Sequence, residues 1–129
     1  MAPRPPSPSS LLLTLAEPTR LRILNCLAAG PLFVSDLQDI LRIPQPTVSR
    51  HLRVLREAQA VAGTQIAQFV LYRIARLPAP RARLVRAVLD GVHQEEGFKM
   101  ERHRARDRSR ASMRQHAARL SPPRATGKP

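Results

Sequence analysis

Tryptophan is absent from this chain of 129 residues, and three Phe and one Tyr are its only aromatic side chains. A core without aromatic bulk must be built from Leu, Val, Ile and Ala, which favours helices packed on aliphatic faces. The same scarcity argues against a single-stranded nucleic-acid platform, where bases stack on exposed rings. Cysteine occurs once, as Cys26, so no intrachain disulfide is available and a reducing cytoplasm is the expected location. No apolar run approaches the roughly 18 residues needed to cross a bilayer. The short apolar stretch near the N-terminus is too brief and too poorly flanked to read as a secretory signal. Acidic residues are also few, 9 against 22 Lys and Arg, which leaves a formal charge of +13.

Such a surface attracts a polyanion, with nucleic acid the first candidate. The plainer source of the excess is a GC-rich genome, which enriches Arg without any function; only Lys99 and Lys128 of the basic residues are not Arg. Distribution says more than the total. Residues 99–129 carry a net +8 and residues 1–98 a net +5.

Residues 1–10, with four prolines and three serines, are expected to be a disordered leader. A helical pattern begins at Ser10 with Leu11, Leu12, Leu13 and Leu15. Pro18 is placed to start a second helix, reaching Ala29 before Gly30-Pro31. Val34–Arg42 reads as a short amphipathic helix with Val34, Leu37, Ile40 and Leu41 inward. Ile43-Pro44-Gln45-Pro46 then sets a sharp turn, and a further helix is expected from Gln45 to Ala58, burying Val48, Leu52 and Leu55. Two short helices across a tight turn make a helix-turn-helix. A β-hairpin is expected next, with strands near 61–66 and 69–75 around Ala67-Gln68. After the Leu77–Pro80 linker a long helix carries the stripe Leu84, Val85, Val88, Leu89 and Val92. The Arg-rich segment beyond Phe98 reads as helical for some turns and the last nine residues as disordered.

These elements in this order predict a mainly α fold with a small β-hairpin, a winged helix-turn-helix. The domain is expected over 11–98, with 99–129 an Arg-rich extension. The recognition helix is the segment 44–56. Its first turns present Gln45, Thr47, Ser49 and Arg50, which suit base reading because Gln pairs with adenine and Arg with guanine. His51, Arg53 and Arg56, with Gln65, Gln68 and Arg73 on the wing, suit the DNA backbone. On an isolated helix such residues would be a solvated face; between a tight turn and a hairpin they read as an interface.

Residues 15–61 resemble the ArsR/SmtB family of bacterial repressors. The resemblance rests on A-x-P-T-R-L-x-I-L at 16–24, V-x-D-L at 34–37 and P-x-P-T-V-S-R-H-L-x-V-L-R-x-A at 44–58, supported by F-V-L-Y-R-I at 69–74. It extends over roughly residues 11–92. It implies a homodimeric repressor that binds inverted-repeat operators in double-stranded DNA, the first and last helices packing across a two-fold axis. Leu11, Leu12, Leu15, Leu84, Val88, Leu89 and Val92 would then form the dimer interface.

The family's sensor positions fit poorly. The paired-thiol site written C-V-C-[DE]-L is here Phe33-Val34-Ser35-Asp36-Leu37, which lacks both soft ligands. The site on the last helix, D-x-H followed by H-x-x-[EH], retains Asp90 but has Val92 where the first His belongs. Asp90, His93 and His103 are its only remnants, a partial set for zinc or nickel, and the alternative is surface residues on a basic helix. No cofactor is therefore expected. Cys26 occupies an aliphatic core position and has no resolving partner, so it reads as a small buried hydrophobe. The neutral wing leaves the Arg-rich tail two readings, a strap along the DNA backbone or a frayed solvated helix. No nucleophile–base pair or phosphate loop marks an enzyme. The competing functions are a winged-helix protein-interaction module and a nonspecific basic nucleic-acid binder driven by the tail.

Overall fold

Ser7 opens the first helix: its Oγ accepts the Ser10 N–H at 3.1 Å, and Pro8 fills the first helical position, where a missing N–H breaks no helical bond. The helix α1 therefore spans Pro8–Leu15, earlier than the sequence suggested. The computed structural model describes residue 4 and residues 6–117; the expected disorder of the last nine residues lies outside the described residues. Part of the expected leader is held in place. Arg81 Nε donates to the Pro6 carbonyl at 2.7 Å and Gln59 Nε2 to the Arg4 carbonyl at 3.1 Å.

Glu17 caps α2 (Pro18–Leu27) by accepting the Arg20 N–H. A two-residue strand, β1 (Leu32–Phe33), precedes α3 (Val34–Leu41). Arg42 ends α3 in the left-handed region, φ 57°, and its N–H bonds back to Gln38. That reversal feeds the Ile43-Pro44 turn into α4 (Gln45–Glu57), where Val48, Leu52 and Leu55 are fully buried, as their spacing predicts. Gln59, φ 60°, closes α4: its N–H bonds to Arg56 and that of Ala60 to Leu55, the paired pattern of a Schellman cap.

The hairpin is β2 (Val61–Ile66) and β3 (Phe69–Ile74), with Val61 opposite Ile74 and Ile66 opposite Phe69. Ala67 carries φ 56° in the two-residue turn, where glycine is the usual residue. β1 adds antiparallel to β3, giving the order β1-β3-β2. Sequence patterning missed β1 because two residues are too few to show a period. Helix α5 (Ala79–Val92) follows the hairpin.

The largest difference from expectation is α6 (Glu96–Gln115), a helix of 20 residues. Instead of trailing from the domain, it packs on α2, α3 and β1. Its inward residues are small or polar: Ala105, Ser109 and Ser112 are buried. Each polar group that faces the domain finds a partner there. Arg22 of α2 clamps Glu101 with Nε–Oε1 3.0 Å, and the hydrogen bond to Glu101 raises the Arg22 pKa against the opposing effect of burial. Asn25 is bracketed, donating to the Phe98 carbonyl and accepting from Arg102 Nε, both at 2.9 Å. Ser109 Oγ donates to the Pro31 carbonyl at 2.7 Å. Gly30 permits this approach, since a Cβ there would lie 2.5 Å from Ser109 Oγ. Asp36 of α3 completes the contact. One oxygen accepts from Arg108 Nε at 2.8 Å, the other from the Phe33 N–H at 2.9 Å, and the Ser112 hydroxyl reaches both. Among the described residues α6 thus packs against the same elements that lie before residue 98.

Candidate nucleic-acid interface

Turning by 100° per residue from the buried Val48–Leu52–Leu55 side of α4, the opposite pole holds Pro46, Arg50, Arg53 and Glu57, all exposed. Thr47 and Ser49 flank that pole and are half-buried, whereas Gln45 is exposed in the first turn. Gln45 Nε2 donates to Ser49 Oγ at 2.8 Å, so these two polar groups already act as one unit. Arg56 is exposed but lies nearer the core side of the helix. Arg50 and Arg53 are therefore the arginines best placed to project from the domain. Two exposed residues of this region were not singled out from the sequence. Glu57 puts a negative charge on the outer face at the end of α4, and Arg42 adds a cation at the turn just before α4.

His51 turns toward the start of α2, with Nδ1 3.4 Å from Arg20 Nη1 and 3.8 Å from Glu17 Oε2, and its side chain is largely covered. It sits between α4 and the α1–α2 junction, where Arg20 Nε also donates to the Thr14 carbonyl.

On the wing, Gln65, Gln68 and Arg73 are exposed. The register pairs Gln65 with Val70 and Arg73 with Ala62, and alternation puts Gln65 and Arg73 on opposite faces of the ribbon. The two cannot approach one phosphate together. Gln65 Nε2 also donates to the Ala67 carbonyl at 2.8 Å, stiffening the turn.

The residues expected at a dimer interface divide. Leu11, Leu15 and Leu89 are buried within their own chain and offer little apolar surface outward. Leu12 is 43% and its neighbour Leu13 74% exposed, while Leu84, Val88 and Val92 are half-buried.

The possible metal remnants are not brought together: among the described residues no three His, Cys, Asp or Glu side chains converge to hold an ion. His103 sits beside Asp107 on the exposed side of α6, Nε2–Oδ2 3.5 Å. His93 caps α5, and its buried Nδ1 has no hydrogen-bond partner among the described residues. Asp36, the one carboxylate in the segment where the family's thiols would stand, is committed to α6.

Cys26 is fully buried, and burial pushes its thiol up to about 12, with Glu101 adding to the rise. A thiol so raised is a poor nucleophile, and a thiol reagent should label Cys26 only on unfolding. Linkage sets a pH test. Below about pH 9 the thiol is protonated in both states and has no effect on the pH dependence. Above it the unfolded chain releases the proton while the folded chain keeps it. Cys26 should therefore lower stability by about 1.4 kcal/mol per pH unit as the pH rises toward 12. Urea titrations at pH 8 and 10.5 should show this slope in the native chain and lose about 2 kcal/mol of the difference in Cys26→Ala. Equal slopes in the two chains would refute the burial argument.

The family profile described as the bacterial regulatory protein, arsR family, matches residues 17–61. The chain is 40% identical to the HTH-type transcriptional repressor SmtB of Mycobacterium tuberculosis over 82 residues, covering 64% of this chain and 57% of that protein. It is 45% identical to the biofilm growth-associated repressor of Agrobacterium fabrum over 78 residues, covering 60% of this chain and 65% of that repressor. It thus spans less than two thirds of the length of either. Among solved structures, the transcriptional repressor BigR from Xylella fastidiosa superposes with a TM-score of 0.60 at 34% identity, covering 68% of this chain and 85% of that one.

Proposed function

The chain belongs to the ArsR family of bacterial regulatory proteins, DNA-binding transcriptional regulators of winged helix-turn-helix form, and on that footing we propose that it is a sequence-specific repressor binding an inverted-repeat operator as a homodimer. The observation that carries this reading is the outward face of α4. Gln45, Thr47, Ser49 and Arg50 stand in its first two turns, exposed or half-buried, at the end that enters a major groove in this architecture.

Arg50 is the guanine reader, and the bonded Gln45–Ser49 pair offers an amide for adenine. Arg53 and Arg56 take phosphates, joined by Gln65 or Arg73 depending on which face of the wing meets the backbone. The partner chain packs on the remaining apolar surface, Leu12 of α1 with Leu84, Val88 and Val92 of α5. Docking of α6 also bears on the nonspecific reading, because Arg102 and Arg108 are engaged within the fold, while among the described residues Arg104, Arg110 and Arg114 are exposed for nonspecific contact.

Selection from a random duplex pool at about 0.15 M salt tests the proposal. Bound duplexes should converge on an inverted repeat with half-site centres about 34–36 Å apart, and sedimentation should give two chains per duplex. A pool that returns no repeat, or a complex with one chain, overturns it.

A further inference from the structure

A pocket of about 550 Å³ opens where the end of β3 meets α5, α6 and the end of α2. Its floor is apolar: Val85 and Leu89 are buried, and Ile74 and Leu77 half-buried. Its rim is charged. Arg76, Arg86 and Arg102 line it with a single carboxylate, Asp90, so three positive charges face one negative. None of these four groups forms an ion pair among the described residues, although the chain pairs Arg22 and Arg108 closely elsewhere. Arg102 is the most constrained of them, its Nε held by Asn25 Oδ1 at 2.9 Å, and burial lowers the pKa of its guanidinium. A cation partly stripped of water, with Asp90 as the one carboxylate acting on it and no direct ion pair, is well disposed to accept an anion.

We propose that this pocket is a binding site for a small organic anion with an apolar body, a monocarboxylate of medium chain length. The volume lies in the range of small-molecule sites, and such sites pair an apolar lining with a few polar groups that orient the ligand. The chain or ring of the ligand lies on Val85 and Leu89, and its carboxylate sits among the three guanidinium groups. The site stays open in a dimer built on Leu84, Val88 and Val92, since Ala82, Arg86 and Leu89 face a direction roughly 120° round α5 from that stripe.

Calorimetric titration of the full chain with decanoate at about 0.15 M salt tests it, with acetate and decylammonium as probes that keep only the charge or only the chain. Decanoate should bind once per chain, at least about tenfold more tightly than either comparison compound, a difference of roughly 1.4 kcal/mol. Arg76→Gln/Arg86→Gln should weaken it about tenfold or more, since both side chains are exposed and not part of the core. Ala82→Phe, which fills the pocket from its exposed side, should do the same. Arg110→Gln/Arg114→Gln removes the same charge from a distant face and should leave binding unchanged. The site is ruled out if decanoate fails to bind at millimolar concentration, if decylammonium binds as well, or if the two arginine pairs have equal effects.

Discussion

Asp36→Ala is expected to destabilise the chain by about 3 kcal/mol, lowering its thermal midpoint by on the order of 10 °C. Asp36 is 3% exposed and accepts from three groups on two other elements, Phe33 of β1 and Arg108 and Ser112 of α6. Its loss leaves the Phe33 N–H without its bond at the start of α3 and the Ser112 hydroxyl buried without an acceptor, and it frees Arg108 from one of two carboxylates. An unsatisfied buried donor carries a penalty of about 1–3 kcal/mol, and two are created at once. Arg108→Ala should cost less, about 1–2 kcal/mol. That side chain is 41% exposed, and Asp36 would keep the Phe33 and Ser112 bonds. The guanidinium, raised in pKa first by its hydrogen bond to Asp39, is shared between the two acids, with Asp39 at 2.6 Å. A double-mutant cycle read by urea unfolding should therefore give a coupling of about 1 kcal/mol. Additive effects would mean that α6 is not anchored through this pair. Since α3 is the first helix of the helix-turn-helix, Asp36→Ala should also loosen the seat of α4 and weaken DNA binding.

Ser49→Ala/Arg50→Ala is expected to lower operator affinity about 10²–10³-fold while leaving affinity for random duplex within about tenfold. The reasoning is geometric. Arg50 lies at the outer pole of α4, and Ser49 holds the Gln45 amide at 2.8 Å, so the double substitution removes one direct reader and releases a second. A well-formed bidentate contact discriminates by about 1–3 kcal/mol, whereas random duplex loses only one positive charge. Arg110→Ala/Arg114→Ala provides the contrast: both lie on the exposed side of α6, and their removal should weaken operator and random DNA alike or neither. Binding curves for both duplexes at two salt concentrations separate the cases. Equal losses on operator and random DNA would sink the assignment of α4 as the reader.

The helix-turn-helix was legible because each of its helices carries a clean apolar period, with Val48, Leu52 and Leu55 the clearest, and because Pro and Gly mark the boundaries. The hairpin was legible from its β-branched and aromatic residues, even though its turn uses Ala67 in place of glycine. Some helix beyond Phe98 was legible, but the docking of α6 was not, for a definite physical reason. Its inward face is Glu101, Arg102, Ala105, Arg108, Ser109 and Ser112, which has no hydrophobic period and resembles a solvated surface until its partners are in view. Those partners, Arg22, Asn25, Pro31 and Asp36, lie about 70 or more residues away along the chain.

The period, the turn and the polar residues of segment 44–56 are determined by sequence alone, because they are local properties of the chain. Tertiary structure alone decided which of those side chains are free. It turned His51 inward against Glu17 and Arg20, split Gln65 from Arg73 across the wing, and buried Leu11, Leu15 and Leu89 in their own protomer. It also converted much of an apparent basic tail into a docked helix. Local patterns follow from the spacing of neighbours along the chain, but polar partnership and exposure depend on which distant residues folding brings into contact.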